Sequence, residues 1–436
     1  MSAPALATET GNPNSATMRR VVTASFIGNL VEWFDYAVYG YLATTLATVF
    51  FPNTSQTAAL LSTFAVFAVS FIVRPLGGVF WGRFGDRNGR RAALSLSIII
   101  MSCSTVVVAI LPGYEQVGLL APFLLLVVRM VQGFSAAGEY AGAAAFLYEY
   151  APARRRGLYT SVVPASTAAG LLVGSVSATV LTTVLDPGQM SSWGWRIPFL
   201  LAAPLGLLGR YVRLRLEDTP EFLELEQQES SSNTPVKETF TNNRGPILRA
   251  FGATCLNAVG FYMLLTYMPT YLSNQLGLNE TVAFTSTTVA LTVYIVAVFG
   301  AGRLSDTFGR PRMLITAGIL FAVLSVPLFL LLGVSGVVGI FLIQIGLGLM
   351  LTGNDGCLPS YLADLFPTRV RYSGFAFSFN TANALFGGTA PFVATFLISV
   401  SDNPVSPAWY LAAAGVVAVC AVALNQASSR RTARSN

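Results

Sequence analysis

Six ionisable residues stand inside long apolar stretches: Glu32, Asp35, Arg74, Arg129, Glu139 and Asp355. Placing such a group in a bilayer costs about 2.5–3.5 kcal/mol on insertion scales, so it usually faces a cavity or a partner. Glu32 and Asp35 are three residues apart and share one face of a helix. Asp35 lies about 22 Å along a helix axis from Arg20, near the middle of a span. Arg129 falls in the outer half of its run, and Glu139 sits about 15 Å further in. The chemistry on offer is proton relay. A carboxylate takes a proton on one side and releases it on the other, its proton affinity set by desolvation and a nearby arginine. Asp35, Glu139, Glu32 and Arg129 are read as that set. The alternative is a static ion pair holding two helices together.

Two further charges are less defined. Arg74 precedes Pro75 and two glycines; it either lines a pathway or partners a carboxylate. Asp355 sits in Gly353-Asn354-Asp355-Gly356; it is either a second-half counterpart of the region around Glu139 or a polar helix break. There is no histidine, and Cys103, Cys255, Cys357 and Cys420 stand singly in apolar runs. That is no metal set and no disulfide framework, and thiols packed like small hydrophobes are expected. Proton chemistry is left to carboxylates, tyrosine or water. No nucleotide-binding loop is visible, which disfavours ATP as a driving force.

Aromatic residues point to a ligand. Trp33, Phe34, Tyr36 and Tyr39 crowd one run, and Phe261, Tyr262 and Tyr267 crowd another. Aromatic faces hold an ammonium well, and Arg129 or Arg74 is suited to an accompanying carboxylate. Helix packing and interfacial belts are the alternative reading for each ring. Asn257 and Asn380 either meet a ligand or bond neighbouring helices.

The elements that must position these residues are legible in the composition. The chain has 436 residues, 53% hydrophobic and 11% charged, against about 25% charged in soluble proteins. A spanning helix takes about 20 apolar residues. Twelve are predicted: 20–49, 57–84, 91–112, 118–150, 157–185, 194–215, 247–274, 281–303, 312–333, 336–363, 372–400 and 405–427. All but Arg74, Arg129 and Arg196 of the 26 Lys and Arg residues fall on one side of that arrangement. By the positive-inside rule both termini are expected in the cytoplasm. The net charge of +6 is therefore a topology signal rather than a nucleic-acid surface. Residues 1–19 form an expected tail, 20–215 a six-helix half, 216–246 a polar cytoplasmic linker, 247–427 a second six-helix half and 428–436 a short tail.

Two repeats support the division. Gly82, Arg83, Asp86, Gly89 and Arg90 recur as Gly302, Arg303, Asp306, Gly309 and Arg310 at a constant offset of 220. Glu149, Pro152, Arg154 and Arg156 recur as Asp364, Pro367, Arg369 and Arg371 at an offset of 215. Gly82, Asp86, Arg87, Gly89, Arg90, Glu149, Arg154, Asp306, Gly309, Arg310, Asp364 and Arg369 are read as a cytoplasmic gate. Its arginines are suited to the carboxylates of Glu149 and Asp364. Positive-inside anchoring would suffice for Arg90 and Arg91, but it leaves the recurrence of Asp86 and Asp306 unexplained.

The loop motif with its echo resembles the signature of the major facilitator superfamily. Gly28-Asn29-Leu30-Val31-Glu32-Trp33-Phe34-Asp35-Tyr36, Arg74-Pro75-Leu76-Gly77-Gly78, Gln132-Gly133-Phe134-Ser135, Trp193-Gly194-Trp195-Arg196 and Phe366-Pro367-Thr368-Arg369 resemble its metabolite:proton symporter family. Tyr262-Met263-Leu264-Leu265-Thr266-Tyr267-Met268-Pro269 is similar to the proline/glycine betaine symporters of that family. The resemblance implies an all-α integral membrane protein of twelve transmembrane helices in two parallel six-helix halves. It implies proton-coupled import of a small zwitterion such as proline, glycine betaine or ectoine, and no enzymatic activity. Alternatives are symport of a carboxylate (2-oxoglutarate, citrate, shikimate) and a non-transporting receptor or osmosensor. No cofactor is expected beyond the proton as coupling ion. The expected partners are the small-molecule substrate, the proton and the lipid bilayer of the cell membrane, with no nucleic acid and no obligate protein partner. Osmosensing relatives carry a long C-terminal coiled coil. Here about nine polar residues follow the last predicted span, without heptads, so sensing of that kind is not expected.

Overall fold

A computed structural model describes residues 15–214 and 243–435, and the regular structure among them is helical. Most of the expected linker, and the first 14 residues of the expected N-terminal tail, lie outside the described residues. The chain forms α1 (Ser15–Tyr41), α2 (Ala58–Asn88), α3 (Arg90–Ile110), α4 (Leu120–Tyr150), α5 (Ala153–Val184), α6 (Arg196–Leu214), α7 (Arg244–Leu276), α8 (Glu280–Phe308), α9 (Arg310–Val334), α10 (Val337–Asp364), α11 (Thr368–Ser401) and α12 (Ser406–Ser435). The tail expected at 428–436 is thus helical as far as Ser435.

Among the described residues, ten of these helices are long and apolar enough to cross a membrane; α1 and α6 are the two left over. α1 falls short because Asn29, Glu32 and Asp35 occupy its middle. The polarity that makes α1 interesting is what hides it from a hydropathy criterion. Outward faces of the bundle are apolar, with Leu207, Val296 and Val338 each more than 70% exposed, a surface fit for lipid.

In the first half α1 packs on α5 and α6, and α3 on α4 and α6. In the second, α7 packs on α11 and α12, α8 on α10, and α9 on α12. The halves meet along α2–α11 and α5–α8. Mapping the first six helices onto the last six exchanges these two seams. The repeat is also conformational. Gly89 ends α2 with φ 91° and Gly309 ends α8 with φ 90°, a region where a side chain is strained. Glycine recurs at that spacing because the turn demands it.

Several helices are interrupted near their middles. α2 restarts at Arg74 with Pro75 in its first turn. α4 breaks at Ala137–Gly138, between Ala136 and Glu139, and α10 breaks at Gly356. α7 widens to a π-segment over Tyr262–Tyr267, and α11 over Asn383–Gly387. Such breaks are typical of functional sites and of transporter helices that carry a site at mid-depth.

Candidate functional site

The first half buries two arginine–carboxylate pairs. Arg129 Nη1 donates to Asp35 Oδ2 at 2.7 Å, and Gln132 Nε2 donates to Asp35 Oδ1 at 2.8 Å. Gln132 also accepts from Arg129 Nη1 at 3.0 Å and donates to Thr105 at 2.9 Å. Both oxygens of Asp35 are thereby met, with Asp35 1% and Arg129 0% exposed. Arg74 Nη2 meets Glu32 Oε1 at 3.3 Å, again fully buried. Glu139 opens the second segment of α4 just past the Gly138 break. It lines one small void together with Glu32, Ser97 and Ser135. Asp35 with Arg129 and Glu32 with Glu139 are thus two separate groupings on neighbouring turns of α1.

Around Arg74 the side chains form an aromatic box. Its guanidinium carbon lies 4.2 Å from the Phe71 ring centre, 4.5 Å from Tyr36 and 5.8 Å from Trp33. Trp33 continues to Tyr262 at 5.8 Å and Phe261 at 5.1 Å, and Phe71 packs edge-on to Tyr262 at 5.3 Å. The box therefore joins α1 and α2 of one half to α7 of the other. Beside it lies a closed cavity of about 10 Å³ between the halves, lined by Trp33, Tyr140, Thr167, Asn257, Tyr262 and Asn383 among others. That is room for about one water. Trp33 Nε1, Tyr140 Oη and Tyr262 Oη are buried there with no hydrogen-bond partner. Buried polar groups are almost always bonded, so three idle donors around one cavity mark a place for a ligand acceptor.

The other predicted aromatics have different tasks. Tyr39 donates to the Thr63 carbonyl at 3.0 Å and lies under Arg129 at 4.3 Å. Tyr267 bonds Thr395 at 3.0 Å, and Phe34 is buried where α1 meets α5 near Gly170. Asn380 ties the halves together through the Ala137 carbonyl at 2.7 Å. Among residues not singled out from sequence, Gln132, Phe71, Tyr140 and Asn383 prove central. Only Gln132, three residues past Arg129 and so on its face, carried a usable signal. A wider depression of about 790 Å³, lined by Thr44, Thr48, Glu115 and Arg196 of the first half, shares no residue with this site.

The second half holds a buried carboxylate of another kind. Asp355 accepts from Asn257 and Asn354 at 2.9 Å each and from Tyr294 at 2.6 Å. The position related to Arg129 by the 215 offset is Gln344, bonded to Ser286 at 2.7 Å and Thr287 at 3.1 Å.

At the arginine-rich end, two related contacts close the bundle. Asp86 Oδ2 accepts from Ser373 Oγ at 2.5 Å and from Ser373 N at 3.2 Å, in the first turn of α11's main segment. Asp306 accepts from Gly157 N at 2.7 Å and Leu158 N at 3.0 Å in α5. Each carboxylate sits at a helix N-terminus of the opposite half, where free N–H groups and the dipole favour an anion. Arg371 pairs with Glu149 at 3.0 Å, Arg310 pairs with Asp364, and Arg156 donates to Tyr148, which bonds Asp364. Gly82 lies against Ser373, leaving no space for a Cβ. Arg87, Arg154 and Arg369 are exposed and join no ion pair among the described residues. The side chain of Arg90 lies outside the described ones. The opposite end is also shut, by Tyr41 on the Leu265 carbonyl at 3.0 Å and Ser175 on Thr288 at 3.1 Å.

With its long apolar helices, its family and its relatives, the chain is a multi-pass membrane protein of the transporter class, not an enzyme. The chain belongs to the Major Facilitator Superfamily, whose profile matches residues 25–391 and 250–434. It is 39% identical to the glycine betaine/proline/ectoine/pipecolic acid transporter OusA of Dickeya dadantii (strain 3937), over 92% of this chain and 81% of that protein. It is 38% identical to the proline/betaine transporter of Escherichia coli (strain K12), over 95% and 84%. A putative proline/betaine transporter of Staphylococcus aureus (strain COL) is 36% identical over 92% and 86%. Among solved structures, the proton:xylose symporter XylE bound to 6-bromo-6-deoxy-D-glucose superposes with a TM-score of 0.78. It has 19% identity, over 93% of this chain and 95% of that one. That likeness supports the fold.

Proposed function

We propose that this chain imports a small zwitterionic osmolyte, of the proline, glycine betaine or ectoine type, by proton-coupled symport with alternating access. The observation that carries the reading is the aromatic box beside a cavity with three idle donors. Trp33, Tyr36, Phe71 and Tyr262 already surround a planar cation, Arg74, at 4.2–5.8 Å for three of the rings. A ligand ammonium fits the rings of Trp33, Phe261 and Tyr262 that line the cavity beside Arg74. Its carboxylate fits Arg74 and the donors of Trp33, Tyr140 and Tyr262. Arg129 is a second candidate for it: Asp35 and Gln132 engage its Nη1, while its Nε and Nη2 are buried without a partner. The names carried by the relatives support the same class of substrate.

Asp35, Glu32 and Glu139 are the proposed coupling carboxylates of the first half, with Arg129 and Arg74 as their countercharges. Both termini are placed in the cytoplasm of a cell membrane, on the basis of the arginine asymmetry. The contacts of Asp86, Asp306, Glu149 and Asp364 then form the inner gate, and 216–246 the linker between halves. Symport of a dicarboxylate is the second reading, favoured by the two buried arginines.

Uptake into proteoliposomes separates these. Labelled glycine betaine and proline are expected to accumulate only with an inward proton gradient. Absence of gradient-dependent uptake sinks the symport reading, and uptake of 2-oxoglutarate alone sinks the osmolyte assignment.

A further inference from the structure

Asp355 is 0% exposed, and its partners are all neutral. Asn257 and Asn354 meet one oxygen, and Tyr294 the other. No arginine or lysine pairs with it among the described residues, and the position where the first half has Arg129 is Gln344 here. A buried charge without a countercharge is unusual, because the desolvation it suffers is large. The titratable groups facing it are Tyr294 from α8, Tyr140 from α4 and Cys357 from the next turn of α10, with Arg310 beyond Cys357. Tyr140 is the residue related to Asp355 by the 215 offset, and it lines the central cavity together with Asn257, a donor to Asp355. Its hydroxyl is buried and idle, as is the Asn354 side-chain oxygen beside the carboxylate.

One of the three donors also lines the central cavity. Asn257 gives its amide nitrogen to Asp355 at 2.9 Å while forming part of the cavity wall. A primary amide is a donor at one atom and an acceptor at the other. An ionised Asp355 accepts only, so it holds the Asn257 NH2 and leaves the carbonyl oxygen for the cavity. A protonated Asp355 has a hydroxyl to donate, and the better match is then the Asn257 carbonyl. We propose that Asp355 is a proton-binding site in the second half, and that its protonation reverses the Asn257 amide. The NH2 then turns to the cavity, where it receives the substrate's carboxylate.

The step balances: one proton adds to Asp355 Oδ1, the acid donates to Asn257 Oδ1, and no other covalent bond changes. Proton and substrate each favour the same orientation of one amide, so each raises the affinity for the other, as linkage requires. The proposal rests on the symport reading above but assigns a different residue, on the opposite half from Asp35 and Glu139.

The test uses full-length protein in proteoliposomes with labelled glycine betaine. Wild type is expected to accumulate it with a proton gradient and to bind it more tightly on acidification. Asp355→Asn is expected to lose at least about tenfold in accumulation, within the usual range for coupling between two ligands. Its remaining counterflow is expected to depend less on pH than that of wild type. Asn257→Ala is expected to separate the steps. The part of the protonated-carboxyl infrared band that is lost in Asp355→Asn still appears on acidification in Asn257→Ala and no longer tracks betaine affinity. Wild type without gradient dependence overturns the symport reading itself. Gradient-dependent wild type with an equally active Asp355→Asn, or with the same infrared band in that variant, overturns only this assignment. Should Asp355→Asn fail to fold, Tyr294→Phe keeps the carboxyl and removes one donor. It must displace the pH midpoint of betaine affinity, and an unchanged midpoint overturns the proposal.

Discussion

At the scale of the residue, the six intramembrane charges divide by their partners. Asp35 is enclosed by Arg129 and Gln132, Glu32 meets Arg74, and Asp355 has amides and a phenol. Their presence was legible because a charge in an apolar run is conspicuous. Their partners were legible only in part: an ion pair between two helices and an arginine beside a carboxylate were among the readings, but Asp35 and Arg129 are 94 positions apart and no local spacing fixes which residues meet. Two outcomes follow from the groupings. Asp35→Asn is expected to stop uphill accumulation of substrate while downhill exchange persists at a reduced rate, measured in the same vesicles; unchanged accumulation removes Asp35 from coupling. Arg74→Lys keeps the charge but loses the planar face that stacks on Phe71 and Tyr36. It is expected to raise the KM for glycine betaine about tenfold, equivalent to about 1.4 kcal/mol, with the protein still folded in detergent.

At the scale of the element, small residues let helices approach where breaks must be held in place. A Cβ at Gly133 of α4 would strike the Ser70 carbonyl of α2. Gly133→Val is therefore expected to cost about 1–3 kcal/mol, as overpacking usually does, and to lower the melting temperature in detergent. Gly346→Ala meets nothing within 4 Å and should leave it unchanged; equal melting curves for the two variants would refute the packing argument. Ten of the helices are readable as spans from apolar run length among the described residues. Their interruptions were readable only where Pro75 or a glycine pair announced them. The π-segments of α7 and α11 were not, since Tyr262–Tyr267 and Asn383–Gly387 contain no residue that forces one extra unit into a turn.

At the scale of the whole molecule, the two halves are held at the arginine-rich end by carboxylates capping helices of the opposite half. Hydrogen bonds to a charged group are worth about 1.5–3 kcal/mol each. Asp306→Asn weakens the hold on Gly157 and Leu158 and, combined with Asp86→Asn, is expected to shift the population toward opening at that end by on the order of tenfold or more. A cysteine in place of Phe379, now 2% exposed, should then react faster with a charged maleimide in a background without the native thiols. Equal labelling rates would show that these carboxylates do not hold the gate.

The sequence by itself determined the class of molecule, the internal duplication and the recurring turns at Gly89 and Gly309. Each of these follows from a rule that acts along the chain: the thickness of a bilayer, the sidedness of arginine, the backbone freedom of glycine. Only the tertiary structure decided that Arg74 and Arg129 both lie against the Tyr36 ring, that Tyr140 lines the central cavity, and that Asp355 has no arginine or lysine partner among the described residues. Those are facts of proximity between helices distant in the chain, and a buried charge takes its character from whatever the fold packs against it.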